Sequence, residues 1–203
     1  WADLVDQLDQ KKMLSAPTSD YTKAGVAALN RSKDAVIYAA MRGSARTLSG
    51  TTALTSGQKI AHGSAGLTKA KIIQAKKIFR GNEADEENGE QLYAMYNDLA
   101  LEDVLNDTTL TSADFTAVQM LQSGTMKGRW AGFEWVPYQV SVESAVYYLP
   151  FWAKSGVALG IGQEIMTRLT ERADKSYALQ PYACMSIGAV RVEEAKVVEV
   201  AIQ

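Results

Sequence analysis

The longest regular pattern of apolar and polar positions lies near the start of the chain, between Asp20 and Met41. Thr18 and Ser19 offer N-cap hydroxyls, and Gly43 is a suitable C-terminal stop. The pattern predicts a helix about 33 Å long. Small residues form one stripe along it and larger aliphatic residues form a second. Two interpretations are open: a core helix of a single globule, or a long spine with packing partners on both flanks.

The middle of the chain alternates between loop-like, helical and strand-like patterns. Residues 45–66 are rich in Ser, Thr and Gly, which is typical of a loop. Thr68 is placed to cap an amphipathic helix of sequence KAKIIQAKKIF, and the acidic segment GNEADEENGE then predicts a solvated loop. A buried strand, QLYAMYN, follows, and Asp98 and Ser112 are predicted to cap two short helices.

From Trp130 onward the pattern is that of β-strands. The runs AGFEWVPYQV, SAVYYLPFWA and SGVALGIG are apolar and rich in aromatic residues. The last stretch alternates, with Val198, Val200 and Ile202 on one face, which predicts a half-buried strand. Helices precede strands, with no regular β–α–β alternation. The sequence therefore predicts an α+β fold.

Composition restricts the classes of function. The 203-residue chain has 21 Lys and Arg against 23 Asp and Glu, a formal charge of −2. Dedicated nucleic-acid-binding proteins usually have a clear basic excess, so this class is disfavoured. The single cysteine, Cys184, excludes an intrachain disulfide and a multi-cysteine zinc site, and the single histidine, His62, excludes any site that needs two imidazoles. No apolar run approaches the ~18 residues of a transmembrane helix, so we expect no membrane partner.

The remaining candidates for chemistry are weak. Gly160 and Gly162 lack the third glycine of a dinucleotide-binding loop and are predicted to form a turn between strands. His62 has no nucleophile elbow to pair with, although a hydrolase that uses His62 with a serine stays open as an alternative. Cys184 lies on a predicted strand, which indicates a small buried hydrophobe. We therefore expect no catalytic, cofactor-binding or metal-binding residue and no cofactor.

The most concentrated charges lie in the segment TRLTERADKSY. They are Arg168, Glu171, Arg172, Asp174 and Lys175. Two interpretations are open. The cluster can be a solvated rim, since surface ion pairs contribute only ~0–1 kcal/mol each. It can also be an ion-pair network between subunits that fixes the register of a partner. In the second case, charge reversal at Arg172 is expected to impair assembly more than folding.

Several segments together resemble tailed-bacteriophage major capsid proteins. In chain order they are WADLVD, PTSDYTKAGVAALNRSKDAVIYAAMRG, LTKAKIIQAKKIF and WAKSGVALGIGQEIMTRLTERADKSYALQPYACMSIGAVRVEEAKVVEVAIQ. The similarity is collinear over essentially the whole chain, although Ala173 stands where the family pattern has Pro. The resemblance implies the Hong-Kong-97-type capsid fold, with a peripheral domain built on a spine helix and a β-sheet. An axial domain would reach the capsomer centre.

The resemblance also implies a division of the chain. The spine helix would span about 20–41, and the peripheral domain would comprise 1–49 and 173–203, including the C-terminal strands. The axial domain would comprise 50–172. Family members begin with an N-terminal arm and an extended loop ahead of a WADLVD-like block. We therefore expect both to precede Trp1 and to be absent from this chain.

A protein of this family would assemble into the hexamers and pentamers of an icosahedral head around double-stranded DNA, without enzymatic activity. Its partners would be copies of itself, with portal, scaffolding or decoration proteins and non-specific contacts to the packaged DNA. Its location would be the virion, and the host cytoplasm during assembly. The alternative of the same fold is an encapsulin-like shell of a cellular compartment, which would enclose an enzyme cargo.

Overall fold

The chain forms an α+β structure of two compact units, which confirms the predicted fold class. The computed structural model describes residues 1–6, 12, 17–48, 50–107, 124, 126 and 128–203. The hairpin unit comprises Trp1–Ala39 and Leu159–Ala189, and the sheet unit comprises Ala40–Ala158 and Val190–Gln203.

Three helices and ten strands lie within the described residues. The helices are α1 (Pro17–Arg42), α2 (Lys69–Gly81) and α3 (Asp98–Asn106). The strands are β1 (Ala45–Thr47), β2 (Gly50–Thr52), β3 (Lys59–Ile60), β4 (Leu92–Tyr96), β5 (Arg129–Trp130), β6 (Phe133–Pro137), β7 (Tyr147–Ala153), β8 (Val157–Arg172), β9 (Ala178–Arg191) and β10 (Val197–Ile202).

Helix α1 confirms the long helix predicted at the start of the chain. It has 26 residues, about 39 Å at the usual rise. It begins at Pro17, earlier than predicted, because proline suits a first turn, where no backbone donor is needed. The predicted cap residues Thr18 and Ser19 therefore lie inside the helix. Asp20 in the first turn and Arg42 in the last complement the helix dipole.

The hairpin unit contains two long strands beside most of α1. Strands β8 and β9 have 16 and 14 residues and pair with each other in a two-stranded sheet. The first residues of the chain run along the other edge of β9. There the backbone of Val5 donates to Leu179 at 2.9 Å and accepts from it at 3.0 Å. Strand β9 is therefore flanked on both edges, whereas β8 pairs with β9 alone in the described chain.

The sheet unit is built on one mixed six-stranded sheet. Its strand order is β3-β10-β7-β4-β6-β5. Strand β10 pairs antiparallel with β7 and parallel with β3, and β4 pairs antiparallel with β7 and parallel with β6. Strand β4 is the buried strand predicted at QLYAMYN, which is confirmed. Helix α2 packs against β10 and β3.

Strand β10 is buried along its whole length, so the predicted half-buried strand is wrong. The strand lies inside the sheet, and helix α2 packs against it. Glu199 stands on the face expected to meet solvent but is only 6% exposed. Its carboxylate accepts a 2.7 Å hydrogen bond from Arg42 Nε. An alternating pattern therefore does not establish exposure when a buried charge has a partner within reach.

Both described short helices begin close to their predicted positions. Thr68 caps α2, and its hydroxyl accepts a 3.5 Å hydrogen bond from the backbone of Lys71. This prediction is confirmed. The cap of α3 is Asn97, whose Oδ1 accepts from the backbone of Ala100 at 3.0 Å, so the predicted cap, Asp98, lies in the first turn instead. The helix predicted after Ser112 lies outside the described residues.

Residues 45–66 contain more regular structure than the predicted loop. Strands β1 and β2 pair antiparallel, and β3 joins the large sheet. The Arg191 guanidinium holds the start of this segment, because it donates to the carbonyls of Met41, Gly43 and Thr52 at 3.0, 2.7 and 3.0 Å. The composition of residues 45–66 could not predict this regular structure, since Arg191 is distant in the sequence.

The two units differ sharply in how much apolar surface they bury. The largest fully buried side chains among the described residues all belong to the sheet unit: Phe79, Phe133, Phe151, Met41, Leu67, Leu92, Met126, Leu149, Ile202, Val197, Val198 and Val200. The buried apolar side chains of the hairpin unit, within the same described ranges, are Val5, Ala178, Pro181 and Ala183. The stable core of the subunit is therefore in the sheet unit.

The boundaries of the two units differ from those of the predicted domains. Strand β10 belongs to the sheet unit because it pairs with β3 and β7, although the C-terminal strands were assigned to the peripheral domain (1–49 and 173–203). Most of β8 belongs to the hairpin unit because it pairs with β9, although the axial domain was assigned 50–172. Which unit is peripheral and which is axial stays a prediction.

Candidate assembly surface

The five predicted interface residues lie at or near the turn that joins β8 to β9. Arg168, Glu171 and Arg172 are on the last part of β8, and Asp174 and Lys175 are in the helical turn that follows. Ser176 and Tyr177 then adopt positive φ values of 51° and 58°, which reverses the chain into β9. The structure therefore gathers all five charges at one end of a long hairpin.

Two of the five charges are paired with each other inside this turn. Arg172 Nε donates to Asp174 Oδ1 at 2.8 Å, and its Nη2 donates to the second carboxylate oxygen. The hydrogen bond from Arg172 and its positive charge lower the pKa of Asp174 below its ordinary value. Arg172 Nη1 also donates to Gln180 on β9 at 3.4 Å. Arg172 thus fixes the turn, a role that the sequence did not predict.

The other three charges are exposed. Arg168, Glu171 and Lys175 have no ion-pair partner within the described part of the chain. Their charges are therefore available to a neighbouring molecule. Their predicted role in subunit contacts stays a prediction.

The hairpin unit also exposes much of its apolar surface. Seven of its large apolar side chains are more than a third exposed: Trp1, Leu4, Leu159, Ile161, Leu169, Tyr177 and Tyr182. A unit with so few buried residues and so many exposed apolar side chains is typical of a surface that is covered by other molecules.

Helix α1 is only partly covered in the hairpin unit. Gly25 is buried beneath Trp1, and a Cβ atom at this position would lie 2.6 Å from the Trp1 ring. Several members of the small-residue stripe are exposed: Ala24, Ala35 and Ala39. Beside Lys33, a groove of about 250 Å³ is lined mainly by Ile161, Ile165, Met185 and Ile187. Part of this stripe is therefore exposed within the described residues of the hairpin unit.

Charge-reversal variants in the turn distinguish effects on assembly from effects on folding. We expect Glu171→Lys to change the free energy of unfolding by less than about 0.5 kcal/mol, because Glu171 is exposed. We expect the same variant to lower the yield of closed particles severalfold. Arg172→Glu is expected to lower the melting temperature as well, because it breaks the pair with Asp174. Thermal melting and particle yield by sedimentation check both; an unchanged particle yield for Glu171→Lys would count against an interface role.

The structure places the candidate catalytic residues in ordinary surroundings. His62 Nδ1 accepts a 3.1 Å hydrogen bond from the backbone of Ser64, which contributes its N–H and not its hydroxyl. Gly160 and Gly162 lie inside β8, so the predicted turn is wrong: the strand continues through them opposite β9. Cys184 on β9 is half-buried, so its predicted full burial is also wrong.

Ser155, Lys196 and Glu90 form a cluster that the sequence did not predict. Lys196 Nζ donates to Ser155 Oγ at 2.8 Å and to Glu90 at 3.1 Å. A serine beside a neutral lysine amine is a nucleophile–base pair in some hydrolases. Here the hydrogen bonds to Glu193 and Glu90 raise the pKa of Lys196, so the amine stays protonated and cannot act as a base. No local signal predicts the cluster, because Glu90 and Lys196 are 106 positions apart.

The acidic loop predicted to be solvated is instead tied to α2 and to β5. Asp85 is 1% exposed and accepts a 2.7 Å hydrogen bond from Arg80. Glu86 pairs with Lys76 and, at 2.6 Å, with Arg129. The prediction of a solvated tip is therefore wrong at these two carboxylates, because basic residues of α2 and β5 lie within reach of them.

Acid is expected to weaken the sheet unit through this loop. Burial alone would raise the pKa of Asp85, but the hydrogen bond and charge of Arg80 outweigh it and hold the pKa below the ordinary 3.8. Likewise, burial would raise the pKa of Glu86, but Lys76 and Arg129 hold it below 4.5. The folded state therefore binds fewer protons than the unfolded state. The resulting stability is present above these ordinary values and is lost as the pH falls below about 4.5.

Melting temperatures measured from neutral pH down to about pH 3 check this expectation. Asp85→Asn is expected to lower the melting temperature at neutral pH and to flatten its acid dependence. Glu102→Gln, at an exposed position on α3, is the matched control and should follow the unaltered chain. An acid dependence of Asp85→Asn as steep as that of the unaltered chain would contradict the prediction.

Two further properties of the described residues concern membranes and metal ions. None of their helices is long and apolar enough to cross a membrane. The same part of the chain has no group of three His, Cys, Asp or Glu side chains that could hold a metal ion.

Solved structures of phage capsids share this fold. A structure of Mycobacterium phage Che8 matches with a TM-score of 0.70 and 18% identity, over 98% of this chain and 68% of its own. The cyanophage Pam1 capsid matches with a TM-score of 0.71 and 10% identity, over 100% of this chain and 73% of its own. The capsid of Helicobacter pylori bacteriophage KHP30 matches with a TM-score of 0.67 and 9% identity, over 100% of this chain and 74% of its own. The fold is the Hong-Kong-97-type capsid fold.

The amino-acid sequence also matches a known protein family. The model of the family described as "Phage capsid protein" matches residues 1–203. The chain belongs to the phage capsid protein family. No curated protein sequence matches it.

These findings confirm the resemblance, the fold and the predicted role as a major capsid protein. The chain is a structural component of a phage head shell, in which copies associate with one another in the virion. The encapsulin-like alternative is not favoured by these comparisons.

Proposed function

We propose that this chain forms the hexamers and pentamers of an icosahedral phage head that encloses double-stranded DNA. The family match over the whole chain carries the proposal. The distribution of buried residues supports it, because the hairpin unit has a small core and many exposed apolar side chains. Contacts with neighbouring subunits would bury this surface and stabilise the unit.

The hairpin unit serves as the peripheral domain and the sheet unit as the axial domain. In support, the hairpin unit holds most of the spine helix α1 together with the long hairpin. The sheet unit carries its own core, which suits a separately folded second domain. This division moves the boundaries from 1–49 and 173–203 to those of the hairpin unit, and from 50–172 to those of the sheet unit.

The subunit acts without catalysis and grips its DNA weakly. A formal charge of −2 suits a shell that encloses DNA through non-specific contacts only, since tight phosphate binding needs a basic excess. Assembly takes place in the host cytoplasm. Portal, scaffolding or decoration proteins are the further partners of such a shell.

The contents of purified particles test this function. Particles isolated from infected cells should contain double-stranded DNA that resists nuclease until the shell is opened. Protein cargo without DNA inside closed particles would contradict the proposal and would revive the compartment shell. Mass spectrometry of the shell protein identifies whether its sequence is that of this chain.

A further inference from the structure

The outer edge of β8 is long and unprotected. In the described chain, β8 pairs with β9 along one edge. Apart from this pairing, no backbone hydrogen bond joins residues 159–172 to any other described element. Exposed edges of natural sheets are commonly protected by proline or by charged side chains, lysine above all, which discourage pairing with any chain that does not complement the charges. The segment LGIGQEIMTRLTER contains neither proline nor lysine. An edge of this kind is suited to pairing with another strand.

Charges of opposite sign lie symmetrically about the middle of this strand. Glu164 and Arg168 are each two positions from Met166, so all three side chains share one face of β8. Both charged side chains are exposed. Neither takes part in an ion pair within the described ranges of the chain. Lys33 lines the same groove as Glu164 without forming an ion pair with it, so among the described residues both charges can still pair with another molecule.

A second copy of the same strand supplies the missing partners. When two β8 edges pair antiparallel about Met166, Glu164 of each copy lies directly opposite Arg168 of the other. A two-fold contact repeats each interaction, so the pairing gives two opposite-charge pairs. A register centred on Arg168 would instead place two like charges face to face. Charge complementarity thus selects both the partner and the register.

We propose that the β8 edges of two subunits pair antiparallel about a two-fold axis at Met166. The pairing joins two hairpin units into one continuous sheet. It also covers part of the exposed apolar surface of β8 at Leu159, Ile161 and Leu169. The inference rests on the proposed shell function, because it assigns one of the contacts between subunits of the shell.

A charge swap tests the pairing. Glu164→Arg alone and Arg168→Glu alone each turn two attractive contacts into two repulsive ones, and each is expected to lower particle yield roughly tenfold. The double variant Glu164→Arg/Arg168→Glu restores both pairs and should return the yield close to that of the unaltered chain. A double variant that assembles no better than the single variants would overturn the proposal.

A disulfide crosslink tests the register. With Cys184 replaced by serine, Met166→Cys is expected to give a covalent dimer on mild oxidation of particles, because each Met166 faces its own copy. Thr170→Cys is the matched control, since it would face Gly162 and should crosslink poorly. Normal particles in which Met166→Cys crosslinks no better than Thr170→Cys would overturn the pairing and leave the shell function intact. Failure of the unaltered chain to form particles would instead overturn the shell function.

Discussion

Replacing Phe151 by alanine is expected to lower the free energy of unfolding of the sheet unit by about 3–5 kcal/mol. Phe151 lies on β7 and is fully buried. Its ring centroid is 5.1 Å from that of Phe133 and 5.7 Å from that of Trp135, both in edge-on geometry. The substitution removes these ring contacts and leaves a cavity. A domain of ordinary stability would lose a large part of its margin.

Urea unfolding of unassembled subunits, followed by tryptophan fluorescence, measures this loss, because Trp135 lies in the same cluster. Leu48→Ala is the control, since Leu48 is fully exposed at the turn between β1 and β2. The control should change the free energy by less than about 0.5 kcal/mol. A loss of less than about 1 kcal/mol for Phe151→Ala would mean that this cluster is not the core of the unit.

The second large effect is expected from Arg42→Met, with a loss of about 3 kcal/mol. Arg42 Nε donates to the buried Glu199 at 2.7 Å, and its two terminal nitrogens donate to the exposed Glu143 at 2.5 and 3.1 Å. Its guanidinium also lies 4.2 Å from the ring centroid of Tyr148. Removal of Arg42 leaves the Glu199 carboxylate buried without this cation. An uncompensated buried charge is costly.

Two further variants separate the causes. Arg42→Met/Glu199→Gln removes the buried charge and should be more stable than Arg42→Met alone. Glu143→Gln changes only the exposed end of the network and should cost at most about 1 kcal/mol. Urea midpoints of the three variants provide the comparison. A double variant no more stable than Arg42→Met would show that lost packing, and not the unpaired carboxylate, causes the loss.

Features that depend on neighbouring residues in the sequence could be predicted. The presence of a long helix α1 and the cap at Thr68 follow from local patterns, and the structure confirms both, although α1 begins at Pro17 and not at Asp20. The strand at QLYAMYN follows from the same kind of pattern. The collinear segments were sufficient to indicate the capsid family. These features need no knowledge of how distant segments meet.

Features that depend on distant residues could not be predicted. Burial of Glu199 requires Arg42, which is 157 positions away. One of the two cations that pair with Glu86 in the acidic loop is Arg129, which is 43 positions away. The composition of residues 45–66 does not reveal Arg191. In each case the fold brings together residues that are far apart in the sequence.

The candidate site could be predicted in part. The charge cluster was visible as a dense run of both signs, and the structure places it at one end of the hairpin. The sequence did not distinguish Arg172, which is paired inside the turn, from Arg168, which is exposed. It also did not predict that β8 continues through Gly160 and Gly162, so its long free edge went unrecognised. The ion pair within the turn and the length of β8 both depend on the fold, so the sequence pattern could not give them.

The central claim is that this chain is the subunit of a closed phage head shell, and electron cryomicroscopy of purified particles tests it most directly. We expect closed icosahedral shells whose density fits α1, the β8–β9 hairpin and the six-stranded sheet in every shell subunit. Particles with a different shell protein would contradict it. So would an intact chain that stays monomeric at high concentration.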